Sequence, residues 1–173
     1  MDFYQIAFTR RSIRSFKSDS IPKDVILRIL NAARFAPSGS NRQPTRLILI
    51  NNIKTKEALI PLCANQQFIT EAPLIVVAVG KNINFNRGNY MGEMSMLMDA
   101  AIAMDHLILA ARYEGLGSCW IGAFDNKAIK DLLNIPYEWN VVALAPIGYP
   151  KKESFRETAE RISLEEFIKN ESW

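Results

Sequence analysis

Three observations predict an α+β or α/β sandwich for this chain. Continuous apolar runs at Arg46 to Ile50, Leu74 to Val79 and Val141 to Ile147 are bounded by Asn, Pro or Gly and read as buried strands. Helical stretches alternate with them. No repeat, low-complexity tract or Ser/Gly-rich linker divides the 173 residues, so one domain over 1–173, with 49% hydrophobic composition, is expected to close around one core.

In chain order, a short helix precedes Arg10. Pro22 then stands where a first helical position belongs, and Val25, Ile26, Ile29, Leu30 and Ala33 recur at helical spacing until Pro37 stops the run. After the second strand, a helix from about Glu93 to Glu114 is apolar on most faces and is closed by Gly115 and Gly117. Such a helix needs cover on several sides, from a second subunit or from a central place in the core. Ser163-Leu164-Glu165-Glu166 reads as a capping-box start for a short last helix.

Charge narrows the partners. With 21 basic and 18 acidic side chains, net +3, the surface lacks the one-sided basic stripe that nucleic acid requires. Met1 to Gln5 shows no signal-peptide pattern and no stretch approaches the roughly 18 apolar residues of a membrane span, so a cytoplasmic protein without membrane partners is expected. Cys63 and Cys119 are far apart and outside any CxxC, and read as reduced, packed thiols.

Three segments carry donors suited to ligand chemistry. Arg10-Arg11-Ser12-Ile13-Arg14 sets three guanidinium groups and a hydroxyl within five residues, which makes either an anion clamp for a mononucleotide phosphate or a solvated basic loop. Ala36-Pro37-Ser38-Gly39-Ser40-Asn41-Arg42-Gln43-Pro44 offers donors and acceptors between stiffening prolines, as the edge of a heteroaromatic ring demands, although local turn chemistry favours the same residues. In Gly115 to Asp125 a helix ends, a short strand follows, and the turn at Gly122 lets something flat approach exposed amides. No metal site is expected, since His106 is the sole histidine and reads as a packed helix residue. Cys119 lies in an apolar strand that keeps a thiol protonated, and Asp99 and Asp105 read as cap or interface hydrogen-bonders.

The order RRSIR, APSGSNRQP, GLGSCWIG and a last strand ending Pro146-Ile147-Gly148-Tyr149-Pro150 resembles the nitroreductase family of FMN enzymes across nearly the whole chain. The resemblance implies a three-layer α/β/α sandwich of α+β class, built as an interlocked homodimer with FMN at the interface and the long helix in the seam. It implies Arg10, Arg11 and Ser12 on the phosphate and ribityl chain, and Arg14 near the pyrimidine edge. Ser38, Gly39 and Asn41 would come from the partner subunit, Asn65 would read the isoalloxazine, the backbone of Gly122 and Ala123 would meet flavin N5, and Pro37, Gln43 and Ile121 would also bind the cofactor. Arg156, or failing it Lys152, would complete the phosphate site.

The implied activity is hydride transfer from NADH or NADPH through FMN to an electron-poor small molecule such as a nitroaromatic, a quinone or free flavin, with no catalytic side chain. Two rivals are a different flavin reaction, reductive dehalogenation or flavin fragmentation, and a non-catalytic flavin-binding protein. Departures from larger relatives are Phe68 in place of a lysine near flavin O2, Thr45 in place of an aromatic residue, and a short Lys81 to Tyr90 segment that implies a reduced flap.

Overall fold

A computed structural model describes residues 1–82, 89–152, 155–156 and 161–173, without the side chains of 89–93. Helices α1 (Phe3–Thr9) and α2 (Lys23–Arg34) precede strand β1 (Thr45–Ile50), helix α3 (Ile53–Leu62) and strand β2 (Leu74–Lys81). Then follow α4 (Asn89–Tyr113), β3 (Gly117–Ser118), α5 (Asn126–Leu133), β4 (Trp139–Gly148) and α6 (Leu164–Phe167). The segment Lys81 to Tyr90, where a short flap is expected, falls largely outside the described residues.

All three apolar runs are strands, in one antiparallel sheet of order β1-β2-β4-β3. Alternation on β2 divides the core: Ile75, Val77 and Val79 face a layer with α3 and α5, whereas Leu74, Val76 and Ala78 face α2 and α4. Helices therefore cover both faces, in three layers. A register shift pairs Ala78 with Ala143 but Val79 with Val141, leaving Val142 as a bulge. The bulge restores alternation, so that Val141 and Leu144 serve one face while Ala143, Ala145 and Ile147 serve the other.

Local chemistry sets the helix ends. Asp2 and Gln5 form a full capping box on α1, and Asn52 caps α3 by accepting from the Lys54 and Thr55 amides. Pro22 is the N-cap of α2 rather than its first helical residue, and that helix ends at Arg34, before Pro37 acts. Gly115 leaves α4 at φ 76°, while the Leu116 amide returns to Ala111 O at 2.8 Å. Ser163 accepts from the Glu166 amide at 3.1 Å, as the last motif predicts.

α4 lies against α2 and the sheet, burying Ala100, Met104, Leu107 and Ala111 completely. Its Met94–Tyr113 stretch is long and apolar enough to cross a membrane, which corrects the reading that no segment reaches that length. Core packing accounts for its inner face, which the sheet and a second helix cover, whereas Met94, Leu97, Met98 and Ile102 on the outer face are apolar but partly exposed.

The extended segment that follows α1 is tied to the end of β4: Phe16 bridges Pro150, Lys17 N donates to Tyr149 O at 2.8 Å, and Lys151 N donates to Ser15 O at 3.1 Å. Glu71 fastens the pair, accepting from Phe16 N at 3.1 Å and Lys151 Nζ at 3.0 Å. The Phe16 amide first and Lys151 second hold this carboxyl below its ordinary value of 4.5, against a smaller effect of burial. A lowered folded-state value means that the stabilisation is complete above the unfolded value and disappears as pH falls through the folded one. Glu71→Gln is therefore expected to lower the urea midpoint most near neutral pH, with the gap to the parent closing below about pH 4. A gap that stayed constant down to about pH 3 would exclude this role.

Candidate functional site

The Arg10–Arg14 segment is an extended arm, not a free loop. Ile13 and Phe16 are buried at 5% and 1% exposure and anchor it, while Ser12 and Arg14 are exposed and Arg10 and Arg11 half-buried. Ser12 forms a parallel bridge to Ser118, and the Ile13 amide donates to Ser118 O at 2.8 Å. The arm thus adds to β3 on the side away from β4. Close approach is possible because position 117 has no side chain: a Cβ there would stand 2.7 Å from Ile13 Cγ1.

Around Cys119 the polar groups of the arm converge. Burial raises the thiol's pKa, opposed to a lesser extent by Arg14, by a hydrogen bond with Ser12 and by Arg10. The thiol therefore stays protonated, as expected, although Cys119 follows β3 rather than lying within it. Arg10 and Arg14 form no ion pair among the described residues.

Beside the arm, Ile121 exchanges both backbone hydrogen bonds with Leu144, at 2.8 and 3.1 Å, and the chain then leaves the sheet through the exposed Gly122 and Ala123. Among the described residues a Cβ on Gly122 would meet only the Trp120 ring, at 3.7 Å, so the backbone is approachable. Asp125 ends this turn, its amide donating to Leu62 O at 2.8 Å and its side chain capping α5. That bond brings up the loop after α3, where exposed Asn65 has φ 58° and its own amide bonds to Ile60 O at 3.0 Å. Phe68 packs against the core cluster that contains Ile13, Phe16 and Ile121.

The described part of the tail reaches the same edge. The Phe155 ring lies over the Arg112 guanidinium at 4.0 Å, and Arg112 donates to Thr9 Oγ1. Arg156, exposed, is the next residue after Phe155, while Lys152 is exposed beside Lys151. Sequence reasoning missed Arg112, although a cation in the last turn of an apolar helix, where Gly115 follows, was a usable signal.

Pro37 to Gln43 forms a separate group. Ser38 Oγ accepts from the Gln43 amide at 2.9 Å, Ser38 O from Asn41 N at 2.9 Å, and Gln43 Nε2 donates to Asn41 Oδ1 at 3.1 Å. These bonds hold Ser40, Asn41 and Gln43 at φ 51°, 54° and 53°, left-handed values that such residues seldom adopt without support. The buried Asp99 of α4 accepts from Gly39 N at 3.1 Å. Pro37, Asn41 and Gln43 are exposed; Ser38 and Gly39 are half-buried.

Pro37–Gln43 leads into β1, whereas the arm lies beyond β3, four interstrand steps across the sheet, or roughly 19 Å. α4 gives the same span: Asp99 touches one group and Arg112 the other, 13 positions apart, or about 20 Å of helix. Within one chain, then, Arg10, Arg11, Ser12, Arg14, Ile121, Gly122 and Ala123 gather at one edge, with the Asn65 and Arg156 segments alongside. Pro37, Ser38, Gly39, Asn41 and Gln43 stand at the other. The donor set at the first edge, guanidinium groups with a hydroxyl beside approachable backbone amides, fits a phosphorylated ligand with a flat ring.

Residues 7–149 match the family described as Nitroreductase family. A protein of Archaeoglobus fulgidus provisionally described as an NADH dehydrogenase/NAD(P)H nitroreductase is 31% identical over 98% of this chain and 97% of its own length. The crystal structure of a nitroreductase family protein from Clostridium novyi NT superposes with a TM-score of 0.81 at 35% identity, covering 91% of this chain and 89% of the other. A 5,6-dimethylbenzimidazole synthase of Rhodospirillum rubrum is 29% identical over 83% of this chain and 80% of its own.

Gly117→Ala is expected to push the arm from β3 through the Ile13 contact, destabilising the protein by about 1–3 kcal/mol and speeding exchange of the Ile13 amide. Unchanged protection of that amide in hydrogen exchange would show that the arm does not depend on this approach.

Proposed function

Because the chain belongs to the nitroreductase family and is an NAD(P)H-dependent oxidoreductase, we propose that it binds FMN between two copies of itself and reduces an electron-poor small molecule. When bound, FMN supplies the two-electron relay by which NAD(P)H and a proton reduce a nitroaromatic, a quinone or free flavin. The observation that carries this reading is the junction of the arm and the Gly122 turn on one sheet edge, held by the Ile13 amide on Ser118 O at 2.8 Å.

Each donor has a task in this reading. Arg10, Arg11 and Ser12 bind the phosphate and ribityl chain, with Arg156 as the further cation. The exposed backbone at Ile121 to Ala123 receives the ring, Asn65 hydrogen-bonds its edge, and Arg14 offsets negative charge on its pyrimidine side. With Phe68 packed in the core cluster, that duty rests on Arg14. The physiological compartment is the cytoplasm, in keeping with two free, buried cysteines.

Dimerisation supplies the remaining residues. Met94, Leu97, Met98 and Ile102 are 37% to 39% exposed and recur at helical spacing on α4. Pairing two copies along this stripe buries its apolar side chains in a seam between the protomers. In this reading Pro37, Ser38, Gly39, Asn41 and Gln43 of one protomer complete the site at the arm of its partner, since within one chain they stand roughly 19 Å from it.

A second reading, a different reaction at the same flavin such as fragmentation or reductive dehalogenation, is favoured by relatives named 5,6-dimethylbenzimidazole synthase and iodotyrosine deiodinase. Recovery of the whole flavin spectrum after each turnover, with no halide released, separates the two.

The purified protein is expected to be yellow, to bleach with NADH or NADPH without air, and to regain colour with a nitroaromatic or quinone. Arg10→Ala and Arg14→Ala are each expected to weaken FMN binding tenfold or more, as loss of a charged hydrogen bond implies. Full flavin occupancy in both variants contradicts the phosphate and ring assignments. Met98→Glu is expected to give a folded monomer by size exclusion that has lost its flavin, and a flavin-loaded monomer would rule out a shared site.

A further inference from the structure

Arg112 is 8% exposed, yet none of its partners among the described residues is a carboxylate. Its Nε and Nη2 both donate to Thr9 Oγ1, at 3.1 and 2.9 Å. The Thr9 hydroxyl proton goes to Gln5 O, so the oxygen is free to accept both guanidinium bonds. The Phe155 ring covers the guanidinium at 4.0 Å. Burial holds the guanidinium's pKa below its ordinary value, and no acid among the described residues counters that effect.

A buried cation that meets, among the described residues, a hydroxyl and a ring but no carboxylate is a costly way to fill core space. Its position explains it. Arg112 joins two residues distant in sequence, and the next residue after each is a cation of the proposed phosphate site: Arg10 follows Thr9, and Arg156 follows Phe155.

We infer that Arg112 is a positioning residue for the phosphate end of the site, fixing Arg10 and Arg156 on a single anion and adding a buried positive charge behind them. This rests on the FMN reading above. A planar fork suits the task, because two donors fix the direction of Thr9 while the guanidinium face remains available to Phe155. The phosphate, not the ring, is the part of the ligand that should respond.

The test uses the full chain, freed of flavin and titrated with FMN and with riboflavin by fluorescence quenching. Arg112→Gln is expected to weaken FMN at least tenfold while riboflavin changes less than twofold, erasing the preference for the phosphorylated flavin. Arg156→Gln is expected to weaken FMN several-fold in the parent but less than twofold in the Arg112→Gln background, since a misplaced cation has little left to lose. Equal loss of FMN and riboflavin, or losses that multiply in the double variant, overturn the inference and leave Arg112 a packing residue. If Arg112→Gln does not fold, Phe155→Ala takes its place in the same cycle and must give the same pattern. A parent that prefers FMN alongside an Arg112→Gln that keeps the preference defeats this inference alone. A parent that binds neither flavin defeats the FMN reading and this inference with it.

Discussion

The central pair of strands, β2 and β4, is buried on both faces, and the rest of the architecture answers that constraint. Neither face can be left to water, so helices must cover both, and the antiparallel ladder satisfies the backbone polar groups that burial would otherwise strand. The bulge at Val142 belongs to the same solution, since without it one half of β4 would turn its small and large residues to the wrong layers. What remains for function is the margin of the sheet. β1 and the arm beyond β3 occupy its two edges, and the two donor-rich groups are consequently apart in any single chain.

α4 connects these margins. Its inner face is committed to the core with α2, its apolar outer stripe is half-exposed, and it buries one charge near each donor-rich segment. Asp99 holds the Gly39 amide, and Arg112 holds Thr9 and Phe155. Both charged groups are buried, Asp99 accepting from a backbone amide and Arg112 donating to a side-chain hydroxyl beneath a ring. Rigid helical geometry makes the spacing between the two segments a fixed property of the chain, of about 20 Å. A ligand that needs both must therefore be completed by a second copy, which is the physical argument for a shared site.

Much of the fold could be read locally. The three buried strands declare themselves as uninterrupted apolar runs, α2 and α4 by spacing, and the last helix by Ser163. α3 escaped notice because Pro61 in its last turn and its weak amphipathic pattern hide a helix that Asn52 nevertheless caps. The length of α4 was legible but its reason was not, since an apolar stretch looks alike whether a sheet, a partner or a bilayer covers it.

The amino-acid order by itself determined which segments carry guanidinium groups, amides and approachable backbone, because those are properties of residues and of turns a few positions long. Tertiary structure alone decided which of them are neighbours. The Ile13 amide finds Ser118 O, and Arg112 finds Thr9, across more than a hundred positions, and such pairings follow from how the faces of one sheet are covered. Spacing along the chain carries no record of that, because burial acts on area wherever in the polymer it originates.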